Sequence, residues 1–170
     1  MPEGRLIWIT GLPGAGKTTV GKALYTLRKA VRPDVVRLDG DELRLIFDDH
    51  DYSAKGRLGY GLKVCRLCFH LAGQGLEVIC CVVGMREDLR RWNRENIPNY
   101  TEVYLHISDD TRLSRNQKGL YGQDAPGHVV GKDIPMEEPS NPDLRFENDG
   151  LRHPEQIALE IDIYLRSIGG

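Results

Sequence analysis

The sequence predicts an α/β fold, a parallel five-stranded sheet sandwiched between helices, and two observations carry that reading. Short apolar runs alternate with amphipathic stretches along the 170 residues, the order that builds βα units and a parallel sheet. A glycine-rich turn, GLPGAGKT (Gly11–Thr18), follows the first apolar run directly and opens a helical pattern.

The elements follow in order. LIWIT (Leu6–Thr10) reads as the first strand, and a helix is expected from Lys17 to about Ala30. VVRL (Val35–Leu38) is the second strand, and a long helix is expected across Leu58–Gly73. EVICCVV (Glu77–Val83) reads as a buried third strand, followed by a helix from Glu87 to about Asn96. EVYLHI (Glu102–Ile107) precedes a short helix from Asp109 to about Gln117, and LRFE (Leu144–Glu147) is a weak fifth strand. The last helix, His153–Ser167, carries Pro154 in its first turn and Ile157, Ile161, Tyr164 and Leu165 on one face, so it is expected to pack back on the sheet. Between Lys118 and Leu144 the apolar residues follow no period of 3.6 or 2, and Gly or Pro interrupts every few positions. A structureless segment of that length is a lid, a binding loop or a disordered linker.

Composition sets the class. With 40% hydrophobic residues, 28% charged and a net charge of -2, the chain reads as an ordinary soluble protein with one domain over 1–170. Nothing in that balance calls for nucleic acid. The apolar run in MPEGRLIWIT is too short for a signal peptide, and no segment is long enough to span a membrane. The expectation is a cytoplasmic protein with no membrane or nucleic-acid partner. Of the four cysteines, Cys65 and Cys68 form a C-x-x-C near His70, the spacing of a zinc or redox site. They fall at helical spacing among Leu62, Leu67, Leu71 and Ala72, and Cys80 and Cys81 sit in the third strand, so all four are expected in the core.

Gly11–Thr18 matches G-x-x-x-x-G-K-[ST], the P-loop, in the strand-to-helix setting that the motif requires. Gly14 and Gly16 let the backbone take conformations closed to residues with a Cβ, so that successive N–H groups face phosphate oxygens. Lys17 adds a charge for the β- and γ-phosphates, the Thr18 hydroxyl suits Mg²⁺, and the helix presents its positive end to the anion. Gly11, Gly14, Ala15, Gly16, Lys17, Thr18 and Thr19 are the expected nucleotide contacts. A GTPase would carry N-K-x-D, and Asn116-Gln117-Lys118-Gly119 does not fit it. The second strand runs into LDGDELR, which sets Asp39, Asp41 and Arg44 at the sheet edge where open α/β folds bind ligands. The alternative for these residues is a turn and a helix cap.

Taken together, GLPGAGKTT, LDGDELR, KGLY and the later D-x-P-x-E-x-P resemble the adenylylsulfate kinase family over nearly the whole chain. The resemblance implies a P-loop kinase fold with a mobile lid at about 118–143, a homodimer, and transfer of phosphate from ATP with Mg²⁺ to the 3'-hydroxyl of adenylylsulfate. It implies that Asp41 or Asp39 orients or deprotonates that hydroxyl, that Asp39 and Thr18 serve the metal, and that Lys118 lies near the transferring phosphate. Arg115 would join the ATP contacts. Arg44, Arg57, Tyr52, Tyr60, Arg86, Lys118, Gly119, Leu120 and Val129 would contact the acceptor nucleotide. Phosphoryl transfer depends on positioning and electrostatics, so a cover that excludes water is part of the machinery.

The departures from the family pattern fall on the acceptor side. Where the family has D-R-x-x-N, this chain has Gly56-Arg57-Leu58-Gly59-Tyr60; where it has F-I-S-P-[FY]-R, this chain has VVGMR (Val82–Arg86). The lid phenylalanine that resembles one side of an adenine sandwich aligns with Val129, while Tyr52 keeps an aromatic on the other side. These changes open two alternatives: a kinase of another nucleotide, such as the family relative that phosphorylates cytidine diphosphoramidate, or a catalytically weak nucleotide-binding module.

Overall fold

The computed structural model describes residues 4–115 and 135–169 of the chain. Five parallel strands pair in the order β2-β3-β1-β4-β5: β1 is Arg5–Thr10, β2 Val35–Asp39, β3 Glu77–Val82, β4 Tyr100–His106 and β5 Leu144–Glu147. The helices are α1 (Lys17–Lys29), α2 (Gly40–Phe47), α3 (Ala54–Gly73), α4 (Glu87–Asn96), α5 (Asp109–Arg115) and α6 (Pro154–Ser167).

Alternation along the central strands builds a core on each face. Ile7, Ile9, Ile79, Cys81, Val103 and Leu105 pack with Val20 and Leu24 of α1 and Ile157, Ile161 and Leu165 of α6. Leu6, Trp8, Val78, Cys80 and Val82 face the other way, onto Val64, Cys65 and Cys68 of α3 and Leu89 of α4. The two adjacent cysteines of β3 therefore serve opposite cores. All four cysteines are buried and free, and burial pushes the Cys65 and Cys81 thiols up to about 12, so they stay protonated and act as small apolar side chains.

Two helix boundaries differ from the sequence expectation. Residues Gly40–Phe47 form α2, which the sequence reading leaves as a possible cap, because the Asp39 side chain accepts the Asp41 amide and starts a helix inside LDGDELR. The long helix begins at Ala54 rather than Leu58: the Ser53 hydroxyl accepts the Gly56 amide and caps it, which offsets the low helix propensity of Gly56, Gly59 and Gly61. Among the described residues, no helix is long and apolar enough to cross a membrane.

At the N-terminal edge of the sheet, Glu77 is fully buried and accepts both Nε and Nη2 of Arg28 at 2.7 Å, with Arg32 Nη1 at 3.1 Å. Arg28 also reaches Asp162 of α6 at 2.9 Å, so one guanidinium ties β3 and the end of α1 to the last helix. The opposite, C-terminal edge carries the turns that follow β1, β2 and β3.

Candidate functional site

β1 ends at Thr10, and the chain turns through Gly11–Gly16 into α1. Gly14 and Gly16 sit at φ 84° and 86°, left-handed conformations that a side chain would strain. Two loop carbonyls are held from outside, Arg115 Nη1 donating to Gly14 O at 3.0 Å and Asn148 Nδ2 to Ala15 O at 2.7 Å, while Lys17 Nζ of the motif itself donates to Leu12 O at 2.8 Å. The strand beside the site is fixed in the same way, with Gly11 N donating to Val83 O at 3.4 Å.

β2 ends at Asp39, which is buried and uses both carboxylate oxygens. Oδ1 accepts the Asp41 amide at 3.0 Å; Oδ2 accepts the Thr18 hydroxyl at 2.6 Å and lies 3.6 Å from Arg37. One side chain thus joins the first turn of α1 to the first turn of α2. Asp41 is exposed in that first turn of α2, beside Glu42. Thr18 and Asp39 therefore meet side chain to side chain, with Lys17 and Asp41 next to them in the first turns of α1 and α2, and the cap reading of Asp39 holds at the same time.

A second cluster forms where α2 meets α3. The Arg44 guanidinium carbon lies 4.0 Å from the centroid of the Tyr60 ring and 4.3 Å from that of Tyr52, and Nη1 donates to Asp49 Oδ1 at 2.8 Å. Arg44 is only 7% exposed. Arg57 stands over the same Tyr52 ring at 5.4 Å and donates to Tyr52 O at 3.0 Å; burial, then the charge of Arg44, lower its affinity for the proton. The Tyr60 hydroxyl donates to Gly40 O, and burial pushes its phenol well above the usual range. Burial would raise the Asp49 carboxyl, but the Lys63 hydrogen bond and the Arg44 charge outweigh it and hold the carboxyl below its ordinary value.

Beyond β3, Gly84-Met85-Arg86 leads into α4, and Arg86 is half-buried with Nη2 on Asp88 at 3.0 Å. Glu137, the glutamate of the D-x-P-x-E-x-P motif, is tied here twice: its amide donates to Met85 O at 3.0 Å, and its carboxylate accepts the Glu87 amide at 2.6 Å. Arg112 pairs with Asp109 at 2.9 Å. Lys118, Gly119, Leu120, Val129 and the lid as far as residue 134 lie outside the described residues. Sequence reasoning missed Asn148 and Glu137 as parts of this edge. The available signal for Asn148 was its place directly after a strand, at the edge where α/β sheets bind ligands.

A parallel sheet with a P-loop after β1 and an acidic residue closing β2 defines a P-loop kinase fold. The structure of the Mycobacterium tuberculosis APS kinase in complex with AMPPNP and APS superposes with a TM-score of 0.86 over 98% of this chain and 99% of that one, at 28% identity. The family model for adenylylsulphate kinase matches residues 3–147, and the chain belongs to that family. It is similar to the cytidine diphosphoramidate kinase of Campylobacter jejuni subsp. jejuni serotype O:2, 38% identical over 154 residues that cover 89% of this chain and 90% of the relative. It is also similar to the adenylyl-sulfate kinase of Deinococcus deserti, 36% identical over 170 aligned positions, 94% of this chain and 90% of the relative. Family and relatives together make it a nucleotide kinase.

Proposed function

We propose that the protein transfers the γ-phosphoryl group of ATP to the 3'-hydroxyl of a small nucleotide. The observation that carries this is the 2.6 Å hydrogen bond from Thr18 to Asp39, which joins the phosphate-binding helix to the end of β2, with Asp41 in the helical turn that Asp39 caps. A hydroxyl and a carboxylate are hard oxygen donors, and the pair fits Mg²⁺, which would neutralise charge on the β- and γ-phosphates. The loop amides and Lys17 bind and orient the phosphates, Asp41 orients the acceptor hydroxyl and takes its proton, and Lys118 balances charge near the transferring group. Arg57, Arg86, Tyr52 and the lid residues Gly119, Leu120 and Val129 form the acceptor side. Arg44 acts there chiefly by holding Tyr52 and Tyr60, since its guanidinium is enclosed between their rings.

Adenylylsulfate is the first acceptor on family membership over residues 3–147. Cytidine diphosphoramidate is the second reading. The departures from the family pattern all fall on the acceptor wall, and a relative named for that substrate is 38% identical over most of the chain. Purified protein with ATP and Mg²⁺ should be given adenylylsulfate and a panel of nucleotides that includes cytidine diphosphate derivatives, ranked by kcat/KM. ADP formation on one of these acceptors, abolished by Lys17→Ala with the fold intact, is the expected result. Turnover of a non-nucleotide alcohol alone would overturn the proposal.

A further inference from the structure

We propose that Asn148 is a positioning residue for the P-loop, which sets the direction of the amides that receive phosphate; the inference rests on the nucleotide-binding reading above. A peptide unit is planar, so its carbonyl and the following N–H point in opposite directions. Holding the carbonyl of Ala15 from outside therefore decides where the amide of Gly16 points, and holding that of Gly14 does the same for Ala15. Asn148 Nδ2 holds the first at 2.7 Å and Arg115 Nη1 the second at 3.0 Å.

The Asn148 contact is built from the sheet. The residue follows β5 directly, is 7% exposed, and its own amide donates to His106 O at 2.8 Å at the end of β4. Its neighbour Asp149 accepts the Ser108 amide at 2.8 Å, which fixes the turn from β4 into α5, the helix that carries Arg115. The amide also lies close against the loop: a Cβ on Gly16 would come within 2.6 Å of Asn148 Nδ2. Gly16 is thus required twice, by its left-handed φ of 86° and by this approach. The P-loop motif supplies the glycines, and a residue 133 positions away holds one of its peptide planes.

The role predicts a loss confined to phosphate binding. Asn148→Ala removes the donor, and Asn148→Asp keeps the shape but sets a carboxylate against the Ala15 carbonyl. Both variants and the wild type should be titrated with Mg-ATP and with magnesium tripolyphosphate, alongside a thermal melt and the two KM values. The expected result is a roughly tenfold weaker Kd for both probes in Asn148→Ala, and a larger loss in Asn148→Asp. KM for ATP should rise while KM for the acceptor stays within about twofold. Wild-type affinity for both probes in the folded variants would overturn the inference. So would weakened ATP binding with unchanged tripolyphosphate binding, which would make Asn148 a contact of the nucleoside. Wild-type protein that binds neither probe overturns the nucleotide reading itself, and this inference with it.

Discussion

Asp39 has two tasks, one for each carboxylate oxygen: it caps α2 through the Asp41 amide and receives the Thr18 hydroxyl. Asn is as good an N-cap as Asp, whereas Ala costs about 1 kcal/mol at such a position. Asp39→Asn should therefore melt within a few degrees of wild type while kcat falls by about 10² or more; Asp39→Ala should lose both activity and stability. Unchanged kcat in the Asn variant would leave only the cap. Asp41→Asn should lower kcat by a similar factor with little change in KM for ATP, because the loss falls on the transition state. Asp49 gives a pH-dependent case. Its folded carboxyl titrates below the ordinary value of about 3.9, so the folded state binds the proton less readily than the unfolded chain. The stabilisation is complete well above pH 4 and is lost as the pH falls through the lowered folded value. In urea titrations from pH 7 to pH 3, the stability gap between wild type and Asp49→Asn should close toward the acid end. A gap constant with pH would show that the carboxylate is not the source.

At the scale of elements, the informative contact is the one between the segment leading into β5 and the start of α4. The Glu137 carboxylate meets the exposed amide end of α4, where a negative charge is worth about 0.3–1 kcal/mol, and its own amide is bound to Met85 O. These two bonds flank Arg86, so they fix the turn that carries the arginine proposed for the acceptor side. Glu137→Ala should raise the acceptor KM several-fold and leave the ATP KM unchanged, with Glu137→Gln in between, since an amide oxygen still accepts but carries no charge. An equal effect on both KM values would mean that the tether supports the sheet edge as a whole.

Across the described residues, the two edges of the sheet separate a buried ion-pair cluster from the proposed site. The N-terminal edge holds Glu77 among Arg5, Arg28 and Arg32, with Asp162 completing the coordination of Arg28. Removing one partner of a buried ion pair strands the rest, at about 3–5 kcal/mol. Glu77→Ala should therefore lower Tm by roughly 10 °C in a chain of this size. Both KM values, measured well below the new Tm, should stay at wild-type levels, because among the described residues the side-chain partners of Glu77, namely Arg5, Arg28 and Arg32, lie at the N-terminal edge. A specific rise in either KM would show coupling between the edges.

By itself, the sequence determined what local patterns can encode: the strand order along the chain, the P-loop with its two left-handed glycines, and the place of Asp39 and Asp41 at the end of β2. These were legible because each depends on residues within a few positions of one another, on a motif that carries its own backbone conformations, and on the rule that places sites at the C-terminal edge of parallel strands. The start of α2 was only half legible, since a cap at Asp39 and a functional carboxylate call for the same residue. Tertiary structure alone decided which face each of Cys80 and Cys81 serves, because a strand's alternation fixes only that they differ and the helices packed on each face fix the rest. It alone enclosed Arg44 between Tyr52 and Tyr60, and brought Asn148 to Ala15 across 133 positions and Glu137 to Glu87 across 50. Those contacts join residues far apart in the chain through single hydrogen bonds or ring stacks, and such pairings leave no period, composition or spacing in the sequence from which to read them.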